Sequence, residues 1–162
     1  MCIRDRGSGV VLPGPPRLTY ELPRGWSMVS LPVVPDDRSL SALFPDAISA
    51  FRYAPQSGYQ TVTALDSCVG YWVNLGAGGQ YPVVGTRSIG ACAPALGAGW
   101  SLIGGPHSEL AAAQLGQEPP GILISVFGYA NGYYAAQTLK AGAGYWVNLA
   151  TAGRLWLPAP PE

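Results

Sequence analysis

Six consecutive residues occur twice in this chain. Gly-Tyr-Trp-Val-Asn-Leu runs from Gly70 to Leu75 and again from Gly144 to Leu149. An identical hexapeptide of this complexity is not a composition accident, and its spacing is shared by other pairs. Trp72 and Trp146 stand 74 residues apart, as do Gly25-Trp26-Ser27 and Gly99-Trp100-Ser101, Pro32 and Pro106, Gly58-Tyr59 and Gly132-Tyr133, and Leu65 and Leu139. Phe51 and Tyr53 match Phe127 and Tyr129 at a spacing of 76, so small compensating insertions lie between the anchors. A period this long exceeds that of helical or blade solenoids and points to two tandem small domains, or two halves of one.

Each copy reads as short strands with one short helix. Leu18–Leu22 and Trp26–Leu31 carry β-type residues around the turn Pro23-Arg24-Gly25. Ser39 is positioned to cap a helix whose Leu40, Leu43 and Phe44 form one apolar stripe. In the second copy Ser108 takes the capping position and Leu110–Leu115 the helix. Ile48–Tyr53 and Tyr59–Leu65 form a hairpin; its counterpart turns at Asn131-Gly132, a pair that tolerates positive φ. In the repeated motif, strand alternation places Tyr71, Val73 and Leu75 on one face and Trp72 and Asn74 on the other. The expectation is a mainly all-β chain made of two tandem copies of a small β-barrel or sandwich-like module with one short helix each. Trp26, Tyr71, Trp72, Trp100, Tyr145 and Trp146 are the expected structural anchors, with Trp72 and Trp146 packing against Trp26 and Trp100 within their own copies.

The expected boundaries follow. Residues 1–6, Met-Cys-Ile-Arg-Asp-Arg, resemble a translated sequencing-adapter artefact. Residues 7–17 are a Pro/Gly linker, 18–86 the first copy, 87–158 the second, and 159–162 the start of a C-terminal linker. The chain thus reads as an internal piece of a longer protein. Nearly half its residues (48%) are hydrophobic and 11% are charged, so a core is affordable by composition. Net charge is zero and the cations are scattered, which speaks against a nucleic-acid stripe or a polybasic membrane patch. No apolar run approaches the roughly 20 residues of a membrane-spanning helix; the longest candidate, 121–130, reads as a buried strand.

Gly25 to Pro32 (Gly-Trp-Ser-Met-Val-Ser-Leu-Pro), Leu43-Phe44-Pro45, Phe51-Arg52-Tyr53, Gly58-Tyr59, Leu65 and Gly70 to Val73 (Gly-Tyr-Trp-Val) together resemble a "GWN-(L/M)-(V/I)-S-x-P … GYWV" module of secreted and cell-surface bacterial proteins. The second copy matches through residues 99–104 and 142–147. Ser27 and Ser101 stand where that module usually has Asn. The resemblance implies an extracellular, non-catalytic, β-rich accessory module, and it carries over no activity and no binding residue.

The residues offer little for chemistry. His107 is the only histidine, in an expected loop, without a paired His or a Cys-x-x-Cys. The Gly-x-Gly pairs lack a third glycine and do not open a helix. Asp36 and Asp37 offer carboxylate oxygens of the kind Ca²⁺ takes, but the second copy has no equivalent and a solvated turn is the favoured reading. No catalytic residue, cofactor or metal site is therefore expected. Cys68 and Cys92 are the candidate disulfide pair, with two separate buried thiols as the alternative. Tyr59, Tyr133, Tyr134 and Trp156 lie near expected turns or late strands, where aromatic rings can stack on sugars; core and cross-strand packing is the favoured reading.

Two functional readings follow. The first is a non-catalytic structural or interaction repeat of a secreted or cell-surface protein. Its partners would be other domains of the same longer chain, together with protein or glycan ligands, and neither nucleic acid nor membrane insertion is expected. The second is a carbohydrate-binding accessory module of an extracellular enzyme.

Overall fold

The computed structural model describes residues 17–55, 57–87, 95–106 and 109–156. The fold is mainly β. Its first half comprises β1 (Arg17–Leu22), β2 (Gly25–Val29), β3 (Val33–Val34), α1 (Leu40–Leu43), β4 (Ala47–Ala54), β5 (Gly58–Thr61), β6 (Tyr71–Leu75), β7 (Gly79–Val84) and β8 (Thr86–Arg87). Its second half comprises β9 (Ala95–Leu96), β10 (Gly99–Gly104), β11 (Leu110–Ala111), a 3-10 turn (Ala112–Gln114), β12 (Gly116–Glu118), β13 (Leu123–Tyr129), β14 (Tyr133–Ala135), β15 (Thr138–Leu139), β16 (Gly144–Leu149) and β17 (Gly153–Trp156). No helix among the described residues is long and apolar enough to cross a membrane.

Two four-stranded antiparallel sheets dominate, ordered β2-β6-β4-β5 and β10-β16-β13-β14. Their registers correspond strand for strand. Met28 faces Trp72 and Trp72 faces Phe51 in one sheet; Leu102 faces Trp146 and Trp146 faces Phe127 in the other. Both sheets also bulge at the same place, leaving Ile48 and Ile124 in solvent. The hairpin between β13 and β14 turns at Asn131 (φ 57°) and Gly132 (φ 130°), left-handed values that this residue pair adopts at little cost.

Each half buries its own core against the Tyr-Val-Leu face of its sheet. Tyr20, Leu31, Phe44, Tyr71 and Val73 belong to the first core. Ile103, Leu115, Tyr145, Val147 and Leu155 belong to the second. Tyr71 and Tyr145 are fully buried, and each phenol oxygen accepts a backbone N–H from five residues upstream, Asp66 at 2.8 Å and Lys140 at 2.7 Å. That local bond satisfies the polar end of an otherwise apolar ring.

The expected helix at Leu110–Leu115 is not formed. Leu110 and Ala111 pair instead with Leu139 and Thr138, and the Ala112 N–H donates to the Gln137 carbonyl. Those backbone groups are therefore engaged in a ladder when the helix would need them, and only a 3-10 turn follows, closed by Leu115 N–H to Ala112. In the first half, Ser39 does cap α1 through its hydroxyl, which accepts the Ala42 N–H at 3.3 Å. Asp37, considered above as a cation ligand, accepts the Ser39 N–H at 2.9 Å, and these hydrogen bonds to Ser39 hold its carboxyl below the usual range. β8 crosses the boundary expected at residue 86, since Val33 and Val34 pair with Arg87 and Thr86. Within the segment 121–130, expected as a buried strand, the strand runs Leu123–Tyr129 and is only partly buried.

Candidate functional site: twin aromatic recesses

A third apolar cluster lies between the halves. Met28, Leu102 and Trp146 are its buried members, with Tyr53, Trp72, Phe127 and Tyr129 packed around them. It is built from the opposite faces of the two sheets, the Trp-Asn faces. The contacts across it come in matched pairs. Trp72 meets Tyr129 edge to face at 5.0 Å, and Trp146 meets Tyr53 edge to face at 5.0 Å. Val29 bridges to Ala143, and Ile103 bridges to Val69. Exchanging the halves maps each member of a pair onto the other.

The close approach at this seam explains why glycine leads the repeated motif. A Cβ on Gly70 would lie 2.5 Å from the Ile103 carbonyl oxygen, and one on Gly144 would lie 3.0 Å from that of Val29. The backbones of the two halves approach too closely there for a side chain. At the centre, Ser30 and Gly104 occupy equivalent places. A Cβ on Gly104 would come within 3.2 Å of the Ser30 Cβ, so there is room for one side chain. The Ser30 hydroxyl uses it, donating to the Ala143 carbonyl at 2.8 Å and accepting the Gly105 N–H at 2.9 Å.

Two open recesses walled by aromatic rings adjoin this seam. The first, of about 450 Å³, is lined by Trp26, Phe51, Tyr59, Trp72 and Tyr129. The second, of about 490 Å³, is lined by Trp100, Phe127, Tyr133, Trp146, Tyr53 and, from the first half, Tyr59. The linings correspond ring for ring, and Tyr59 joins them. Trp26 and Trp100 remain 43% and 44% exposed, Tyr59 and Tyr133 54% and 59%. The ionisation of the Tyr59 phenol is pushed up by burial and by the neighbouring Tyr133 phenol. In the second recess the Trp146 indole N–H is buried with no hydrogen-bond partner.

This arrangement corrects several expectations. Trp26 and Trp100 are rims of open recesses rather than buried anchors. Trp26 does meet Trp72 edge to face at 6.2 Å. Trp100, however, pairs with Phe127 at 5.7 Å, while Trp146 turns to the other half. Of the four rings named as candidate stacking residues, Tyr59 and Tyr133 lie in the recesses. Tyr134 stands on the other face of β14, over Gly128, where a Cβ would lie 2.6 Å from its ring. Trp156 lies against Gly116, on the far β12-β17 pair. The residues not singled out for this site were Phe51, Phe127, Tyr53 and Tyr129. Their signal was present: Phe-x-Tyr puts both rings on one strand face, the face that carries Trp72.

Cys68 is disulfide-bonded. Cys92, its expected partner, lies outside the described residues, as does His107. Among the described residues no group of three or more His, Cys, Asp or Glu side chains is placed to hold a metal. The chain matches no family model, no curated protein and no solved structure.

Proposed function

We propose that the protein is a non-catalytic interaction element of a secreted or cell-surface bacterial protein, built from two tandem copies of one β module, and that the twin aromatic recesses are its binding surface. The observation that carries the reading is the partial exposure of Trp26 and Trp100 at equivalent places beside Tyr59 and Tyr133. Large rings held half in solvent around a preformed, largely apolar concavity are the usual make-up of a ligand site. The tandem reading is supported by the equal strand orders, the matched registers and the paired contacts across the seam. The extracellular assignment is supported by the resemblance described above and by the disulfide at Cys68.

A carbohydrate-binding accessory role is the second reading, favoured by the same exposed rings. Printed glycan and peptide arrays probed with the wild type and with a Trp26→Ser/Trp100→Ser variant test the site itself. We expect spots that the wild type binds and the variant loses while its circular dichroism stays that of the folded protein. Silent arrays, or spots the variant retains, would remove the recesses from consideration.

A further inference from the structure

We propose that the twin recesses take a proline-rich segment in the polyproline II conformation; this rests on the reading of the recesses as the binding surface. The case is one of hydrogen-bond complementarity. The linings are aromatic and their polar atoms are few: indole N–H groups, which only donate, and phenol hydroxyls. Among the described residues, no carboxylate, amide or guanidinium lines either recess. A sugar brings a ring of hydroxyls, each needing an acceptor as well as a donor, and such walls leave most of them unmet. A β-strand ligand needs an exposed strand edge to supply alternating donors and acceptors. A polyproline II segment needs neither. Its prolines have no N–H, its carbonyls are free, and its rings fit between aromatic walls.

The positions of the donors agree. Trp26 and Trp100 are half exposed at equivalent rims, one beside each recess. The second recess holds another, Trp146, whose buried N–H has no partner in the free protein. Tyr59 lines both recesses, so the two are neighbours. The conformation is preformed before binding, so little ordering entropy opposes it.

The test is titration of the ¹⁵N-labelled protein with a Pro-Pro-Ala repeat peptide, a Gly-Ser repeat peptide of equal length, and cellohexaose, following the indole N–H resonances. With the proline-rich peptide the Trp26 and Trp100 signals should shift and saturate, and the buried Trp146 signal should move less. Trp26→Ser and Trp100→Ser should each weaken binding by about tenfold or more, with the fold checked by circular dichroism. The Gly-Ser peptide should do nothing. Equal shifts with Gly-Ser, or shifts with cellohexaose alone, overturn the proline-rich occupant while leaving the recesses as a binding surface. No shift with any probe also overturns it, and the arrays described above then decide separately whether the recesses bind at all.

Discussion

Tyr71 and Tyr145 show how one side chain settles which face of a strand goes inside. Alternation separates Tyr-Val-Leu from Trp-Asn but does not say which set is the core. The phenol has a local answer for its polar end, a backbone N–H five residues upstream, and so can be buried without an orphaned group. The Trp72 and Trp146 indoles are directed to the seam, where their partners come from the other half. Burial pushes the Tyr145 phenol up to about 12, and that of Tyr20 further still. The sign follows from linkage. In the unfolded chain these phenols ionise near 10, whereas the folded protein holds them neutral. Their contribution to stability is complete below about pH 10 and is lost as pH rises from there toward 12. Urea midpoints should therefore fall between about pH 10 and pH 12, and tyrosinate absorbance should rise late, with unfolding. If all nine tyrosines titrate together near 10 in a protein that stays folded, the burial of these phenols is wrong.

At the scale of elements, the repeated strand is shaped by its neighbour as much as by itself. Gly70 and Gly144 read in sequence as turn residues, yet their role is to let two backbones touch. Gly70→Ala forces a Cβ into the Ile103 carbonyl at 2.5 Å and should cost about 1–3 kcal/mol or more. Gly144→Ala, with 3.0 Å available, should cost less. Denaturant midpoints of the two variants check the order, and equal losses would mean the approach is not as close as described. The 110–115 segment teaches the same lesson from the other side. Its helical pattern was real, but a short helix gains little from propensity. The pairing of Leu110 and Ala111 with β15 took the backbone groups the helix would have used.

At the scale of the whole molecule, the two halves share a layer as well as owning a core each. Ser30 sits at its centre with both partners of its hydroxyl, Ala143 and Gly105, in the opposite half. Ser30→Ala leaves the Gly105 N–H buried without an acceptor and should cost about 1–3 kcal/mol. Because the seam is common property, the loss should appear as a lower midpoint of a single unfolding transition, seen by calorimetry and by tryptophan fluorescence alike. Two separated transitions, with one unmoved by the substitution, would show that the halves do not stabilise each other.

Much of this was legible in the residues taken in order. The duplicated hexapeptide, the Asn-Gly turn, the Ser39 cap and the alternation within each strand are local matters, set by φ preferences, hydrogen bonds a few residues long and the period of the pleat. From them follow the β class, most strand positions and the correspondence of the two sheets. The aromatic recesses were not legible, although every ring that forms them was visible. Trp26 and Phe51 pack at 5.9 Å from different strands, and the walls close only when Tyr53 and Tyr129 cross to the opposite half. Alternation sorts side chains into two faces, and only the packing of one half on the other decides which rings that face leaves in solvent.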